Sequence, residues 1–186
     1  MKASKSFTVI RETVLFAMFG ALMFISKLIL EALPNVHMIA MFIVAFTVVY
    51  RVKALIPIYV FVFLTGIYGG FNLWWVPYLY IWTVLWAAVM LLPRKLPKKL
   101  RPLIYCLTAG LHGLLFGTLY APAQALMFHF DFQTTLKWIV AGLPWDCVHA
   151  AGNVVIGALI VPLITLLEKL EKFSGSALRG KAGKNS

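Results

Sequence analysis

Acidic residues are scarce in this chain. Its 186 residues include six Asp and Glu against seventeen Lys and Arg, and charged residues of both signs make up only 12%. A soluble domain is about half apolar and a quarter charged, so the shortage excludes a globular chain solvated on every side. Cysteine is equally rare, represented by Cys106 and Cys147. Cys106 follows a basic cluster, and Cys147 lies near the opposite end of the next apolar run. A disulfide between them would have to cross a membrane, far beyond the roughly 7 Å that a bridge allows between Cα atoms. Both read as buried thiols. No GxxxxGK[ST] loop occurs, so the chain cannot use ATP unaided. No small-residue cleavage site follows the first apolar run either. Residues 13–30 are followed by Glu31, which fits a retained helix better than a cleaved signal peptide.

What fills the chain instead is apolar: 62% of residues are hydrophobic and the mean hydropathy is +0.89. One aqueous core cannot hide that much surface. The reading is an all-α integral membrane protein. A helix needs about 20 apolar residues to cross a bilayer core. The runs fitting that length are Thr13–Leu30, Val36–Tyr50, Ala54–Tyr68, Tyr78–Leu92, Leu103–Phe128 and Pro144–Leu167, with the second and third short. Thr134–Leu143 reads as a separate short helix, and Pro144 suits the first turn of the last span, where its missing N–H does no harm.

Charge supports six spans. Fifteen of the seventeen basic residues fall in four clusters, around Lys2–Arg11, Arg51–Lys53, Arg94–Arg101 and Lys169–Lys184; Lys27 and Lys137 lie apart. Basic flanks mark the cytoplasmic side of a membrane, and six spans put all four clusters and both termini there. The net charge of +11 therefore reports topology and attraction to anionic lipid, rather than nucleic acid. Residues 1–172 form one six-helix domain, and 173–186 read as a basic, disordered cytoplasmic tail.

Against this background the stretch GLPWDCVHAAGN, Gly142 to Asn153, stands out. Asp146, His149 and Asn153 sit at i, i+3 and i+7, one face of a helix. Polar groups inside a span face the bundle interior or a cavity. The preceding antiparallel span offers His112, Tyr120 and Gln124. Two readings stay open: a polar pocket facing outward, or interhelical hydrogen bonding. An Asp146–His149 acid–base pair is a third, although no nucleophile motif accompanies it. His37, His112 and His129 are dispersed and show no metal-ligand spacing. Aromatic residues crowd Phe71–Trp86. Trp74 and Trp75 read as an interfacial belt, whereas Tyr78, Trp82 and Trp86, at i, i+4 and i+8, form a stripe suited to a flat ligand. In the first span Ala17 and Ala21 permit close approach of another helix.

These features together resemble the substrate-binding S component of an energy-coupling factor (ECF) vitamin transporter. The likeness covers residues 8–170. It rests on six spans, cytoplasmic termini, a chain of under 200 residues and the pair Ala17 and Ala21. The resemblance implies that Ala17 and Ala21 pack on a transmembrane coupling protein and that two cytoplasmic ABC ATPases consume the ATP, with no cofactor or metal in this chain. It implies a bacterial cell membrane as the location. It also implies a ligand site in the outer half, under the loops Glu31–His37, Gly69–Pro77 and His129–Leu143. The expected substrate-binding residues are Trp74, Trp75, Tyr78, Trp82, His112, Tyr120, Gln124, Asp146, His149 and Asn153. FNLWWVPYLYIW and PWDCVHAAGN resemble a subgroup linked to cobalamin; folate, riboflavin, a queuosine precursor or pantothenate are the other vitamins considered. Lys27 departs from a purely apolar interface helix and either snorkels outward or faces the pocket. The rival classes are an intramembrane enzyme using Asp146 and His149, and a passive channel, for which no repeated pore-lining pattern exists.

Overall fold

The computed structural model describes residues 5–33 and 35–184, with side chains described for 9–33 and 35–173. Among the described residues every regular element is helical. The α-helices are α1 (Lys5–Ile29), α2 (Ile39–Tyr50), α3 (Leu55–Gly69), α4 (Tyr78–Leu91), α5 (Arg101–Leu114), α6 (Phe116–Phe128), α7 (Phe132–Gly157) and α8 (Ile160–Lys184). Short 3₁₀ turns, Arg51–Ala54 and Leu73–Trp75, precede α3 and α4.

The sequence of α2 explains where the core lies. Its twelve residues contain no charge, and Ile39 through Thr47 are all buried. A helix that is apolar all round is stable only when enclosed. Accordingly α2 occupies the centre and touches α1, α4, α5, α7 and α8. The surrounding helices turn apolar side chains outward as well: Met18, Ile29, Phe63, Leu126 and Val155 are all more than half exposed. On α7 the pattern is inverted relative to a soluble helix. Asp146, His149, Asn153 and Gly157 are its buried positions, while Trp145 and Val148 face out. Such a surface is stable against hydrocarbon rather than water.

Among the described residues five segments are long and apolar enough to cross a membrane: Val9–Ile29, Ile39–Gly69, Leu73–Leu91, Arg101–Phe128 and Phe132–Gly157. The second folds back on itself. His37 and Phe61 both meet the Trp82 ring, with centroids 5.7 and 5.9 Å away, whereas a continuous helix would separate them by about 36 Å. The reversal is at Arg51, whose backbone has φ 55°, a conformation that costs a non-glycine residue roughly 1–3 kcal/mol. It is held by Trp86, whose indole N–H donates to the Arg51 carbonyl at 3.1 Å, and by the Arg51 guanidinium, which donates to the Met90 carbonyl at 3.1 Å. Near this end Arg11 pairs with Glu171 and Lys53 with Glu12. The basic ends of α1, the α2–α3 turn and α8 thus gather at one end of the bundle.

Three expected boundaries differ. The run Leu103–Phe128 is broken at Leu115 into α5 and α6. The separate helix Thr134–Leu143 does not exist as such, because α7 runs unbroken from Phe132 to Gly157 with Pro144 inside it. Asp131 starts this helix early, accepting the Thr134 N–H at 2.7 Å, and bundle helices tolerate an internal proline when the freed carbonyl is served otherwise. The last span is in turn interrupted at Ala158–Leu159. Pro162 cannot donate to the Ala158 carbonyl and its ring crowds that oxygen. The cysteines also depart from expectation: Cys147 is exposed on the outer face of α7, and Cys106 is half-buried; both are free thiols.

Candidate functional site

Glycine sets the distance between α5–α6 and α7. A Cβ on Gly113 would lie 2.9 Å from the Ala150 nitrogen, and one on Gly117 would lie 2.5 Å from Asp146 Oδ2. Only bare backbone fits there. That closeness lets side chains of α7 reach main-chain groups opposite. Asp146 takes the Gly117 N–H through both oxygens, at 3.0 and 3.1 Å. In an unbroken helix that N–H would point at the Gly113 carbonyl; here the break at Leu115 frees it, and Asp146 caps the start of α6 from a neighbouring helix. Asn153 donates its amide to the Ala109 carbonyl at 3.0 Å. For these two residues the helix–helix reading of the polar face is therefore the one realised. Asp146 and His149 make no hydrogen bond to each other.

His149, between them on the same face, is spent differently. It is 2% exposed and enters a cluster of rings drawn from four places in the chain. Its ring centroid lies 4.7 Å from His37 and 4.8 Å from Phe116. Trp82 sits 5.7 Å from His37, 5.7 Å from His112 and 5.6 Å from Phe116, and Tyr78 stands edge-on to Trp82 at 5.6 Å. His37 comes from the loop before α2, Tyr78 and Trp82 from α4, His112 and Phe116 from either side of the α5–α6 break, and His149 from α7. Edge-to-face rings of this kind contribute about 0.5–1.5 kcal/mol per pair beyond their buried area.

The cluster is rich in polar atoms without partners. His37 Nδ1, Trp82 Nε1, His112 Nδ1 and His149 Nε2 are all buried and unbonded, and among the described residues the only other buried side-chain nitrogen in that condition is Arg51 Nε. A cavity of about 170 Å³ opens above the cluster, lined by His37, Tyr78, Phe116 and His149, with Lys27, Glu31 and Asn35 at its rim. It lies at the opposite end of α2 from the basic residues around Arg51. No group of three metal-ligating side chains with suitable geometry occurs among the described residues.

Of the ten residues expected to bind substrate, Tyr78 and His149 line this cavity, and Trp82 and His112 lie directly behind them. The remainder do not line it. Trp75 donates its indole N–H to the Val62 carbonyl at 2.8 Å. Tyr120 donates to the Trp74 carbonyl at 2.7 Å and stacks on Trp138. Gln124 is half-buried on α6, away from the cavity. Lys27 faces the cavity rim. His37 and Phe116 also line the cavity, and no local sequence signal marks either. The spacing of Gly110, Gly113 and Gly117 opposite α7, by contrast, is a readable sign of close helix packing. On α1, Gly20 meets α3 at Val60 and Pro57, which leaves Ala17 exposed and Ala21 half-exposed.

No family model, no curated protein and no solved structure matches this chain.

Proposed function

We propose that this chain is a membrane-embedded binding subunit for a scarce vitamin, the S component of an ECF-type importer in a bacterial cell membrane. The observation that carries the reading is the cavity itself: a ring-lined, polar-floored space at the end of α2 remote from Arg51 and Lys53, roofed by Leu30, Leu33, Asn35 and Val36. With basic residues on the cytoplasmic side, the chain crosses the membrane six times and the cavity opens outward. The resemblance also assigns a use to Ala17 and Ala21, which make a small-residue strip on the outward face of α1, free to receive a transmembrane coupling protein. Two ABC ATPases on the cytoplasmic side supply the energy. Cobalamin is the vitamin favoured by the resemblance, with folate, riboflavin, a queuosine precursor and pantothenate next.

The cavity is smaller than the roughly 300–1,000 Å³ of ordinary ligand pockets, so a vitamin enters only when the roof or a ring of the cluster moves. The enzyme reading draws less support, because Asp146 commits both oxygens to the Gly117 N–H instead of orienting His149.

The purified chain is expected to retain or bind one vitamin tightly without ATP; a panel of the vitamins above with no binder sinks the proposal. Ala17→Trp is expected to abolish uptake by the assembled importer while leaving binding intact. Loss of both would place the defect in the fold rather than the coupling face.

A further inference from the structure

We propose that the binding site continues inward past Phe116 to Trp82 and His112, and that this inner part takes a neutral group bearing a hydrogen-bond donor beside an acceptor, such as a carboxamide, lactam or imide edge. The inference rests on the reading of the outer cavity as a ligand site.

Hydrogen-bond bookkeeping carries it. His112 Nε2 lies 3.1 Å from the Ile81 carbonyl oxygen, which can only accept, so Nε2 holds the proton. In a neutral imidazole the other nitrogen is then a bare acceptor, and His112 Nδ1 is buried without a donor. The indole N–H of Trp82 can only donate, and it is buried without an acceptor. The two rings are tilted at 35° with centroids 5.7 Å apart, and they do not bond to each other. A buried donor and a buried acceptor on neighbouring rings are met together by a group that offers the opposite pair. An amide edge does so; a carboxylate offers acceptors alone.

Charge points the same way. Lys27 and Glu31, both at the cavity, carry opposite charges, and the buried carboxylate of Asp146 is held by Gly117. Burying an unpaired ion costs far more than burying a hydrogen-bonded neutral group. The imidazoles are therefore neutral, and nothing at the inner site balances an anion.

Phe116 divides the visible cavity from this inner pair. It lines the cavity, and its ring centroid is 5.6 Å from Trp82 and 6.1 Å from His112. It is also the first residue of α6, next to the break at Leu115. A cavity of about 150 Å³ holds a single benzene ring, so turning Phe116 aside adds about one ring of space and joins the two parts.

The test uses the full chain in detergent micelles, with histidine and tryptophan labelled by ¹⁵N and followed by NMR. Nicotinamide and nicotinate are the probes, sharing one ring and differing in amide against carboxylate. Nicotinamide at millimolar concentration is expected to shift the Trp82 indole N–H and His112 Nδ1 resonances, with nicotinate leaving both in place. Phe116→Ala, checked for its melting temperature, is expected to strengthen nicotinamide binding about tenfold by removing the closed form. Trp82→Phe keeps the ring and deletes the donor, and is expected to weaken it about tenfold. Equal shifts from both probes, a preference for nicotinate, or no response in wild type and Phe116→Ala would overturn the inference; the last result means that ordered waters alone serve these atoms. If nicotinamide responds but none of the vitamins in the panel above binds, the importer reading fails and this inference stands. A vitamin that binds wild type and Trp82→Phe equally well defeats the inference and spares the importer.

Discussion

The Asp146 carboxylate accepts the backbone N–H of Gly117 through both of its oxygens, joining α7 to the first turn of α6 inside the bundle. The contact is possible because Gly117 has no side chain and because the helix is broken two residues earlier. Removing the carboxylate leaves a buried N–H unserved, at a cost of about 1–3 kcal/mol. Asp146→Ala is expected to lower the thermal stability of the purified chain accordingly, while Asp146→Asn, which keeps one oxygen acceptor, recovers most of it. If the residue instead served as an acid or base, Asn would fail as completely as Ala in any turnover assay.

Gly117 and Gly113 are tested from the other side of the same contact. A methyl group on Gly117 meets Asp146 Oδ2 at 2.5 Å, and one on Gly113 meets main-chain atoms of Ala150 at 2.9 Å. Overpacking of this kind costs about 1–3 kcal/mol. Gly113→Ala is expected to be the more damaging, because its neighbour is backbone and cannot turn away. Gly142, with nothing within 4 Å of a Cβ, is the control: Gly142→Ala should leave the melting temperature unchanged or raise it.

The acidic residues at the basic end are unequal. Among the described residues Glu12 pairs with Lys53 only, at 2.7 Å, and the lysine is more than half exposed. Glu171 accepts from Arg11 at 3.1 Å and from the Tyr50 hydroxyl at 3.3 Å, tying α8 to α1 and α2. An exposed pair contributes about 0–1 kcal/mol. Glu12→Gln is therefore expected to change stability little, and high salt to mask the change. Glu171→Gln is expected to have the larger effect and to loosen α8 from α1, measured as faster hydrogen exchange along α8.

Asp131 caps α7 from the position just before its first residue. The Thr134 hydroxyl and N–H beside it hold its carboxyl below the ordinary value of 3.8. A carboxyl that is more acidic in the folded chain than in the unfolded one stabilises the fold fully above its ordinary range, and that contribution disappears as pH falls through the folded value. The Thr134 and Thr135 amides should thus be more protected, relative to an unstructured amide at the same pH, at neutral than at strongly acidic pH. In Asp131→Ala that protection should be low throughout; a wild-type protection that does not change across the acid range would remove Asp131 from the role of cap.

Much of this was legible in the residues. Apolar runs of about 20 residues dictate helices with apolar outer faces, since a helix closes its own backbone hydrogen bonds in hydrocarbon. Helical period places Asp146, His149 and Asn153 on one face, and all three are buried. The glycines opposite them could have been read as well. The break at Leu115 could not. Nothing in Leu114-Leu115-Phe116 stops a helix, and the interruption is stabilised by a carboxylate 29 residues away.

What the sequence determined, then, is which runs are apolar, where the chain turns, and which helix faces carry polar atoms; these follow from local chemistry and helix geometry. Tertiary structure decided how those atoms are used. Identical reasoning from period gives Asp146, His149 and Asn153 the same standing, yet two of them meet backbone groups exposed by glycine and a helix break, while the third meets rings from three distant segments. His37, His112 and His149 look dispersed along the chain and become neighbours only because α2 packs at the centre and brings its first residues against α4 and α7. Hydrogen-bond partners and cavities depend on distances between helices, and those are fixed by packing, which no single stretch of sequence contains.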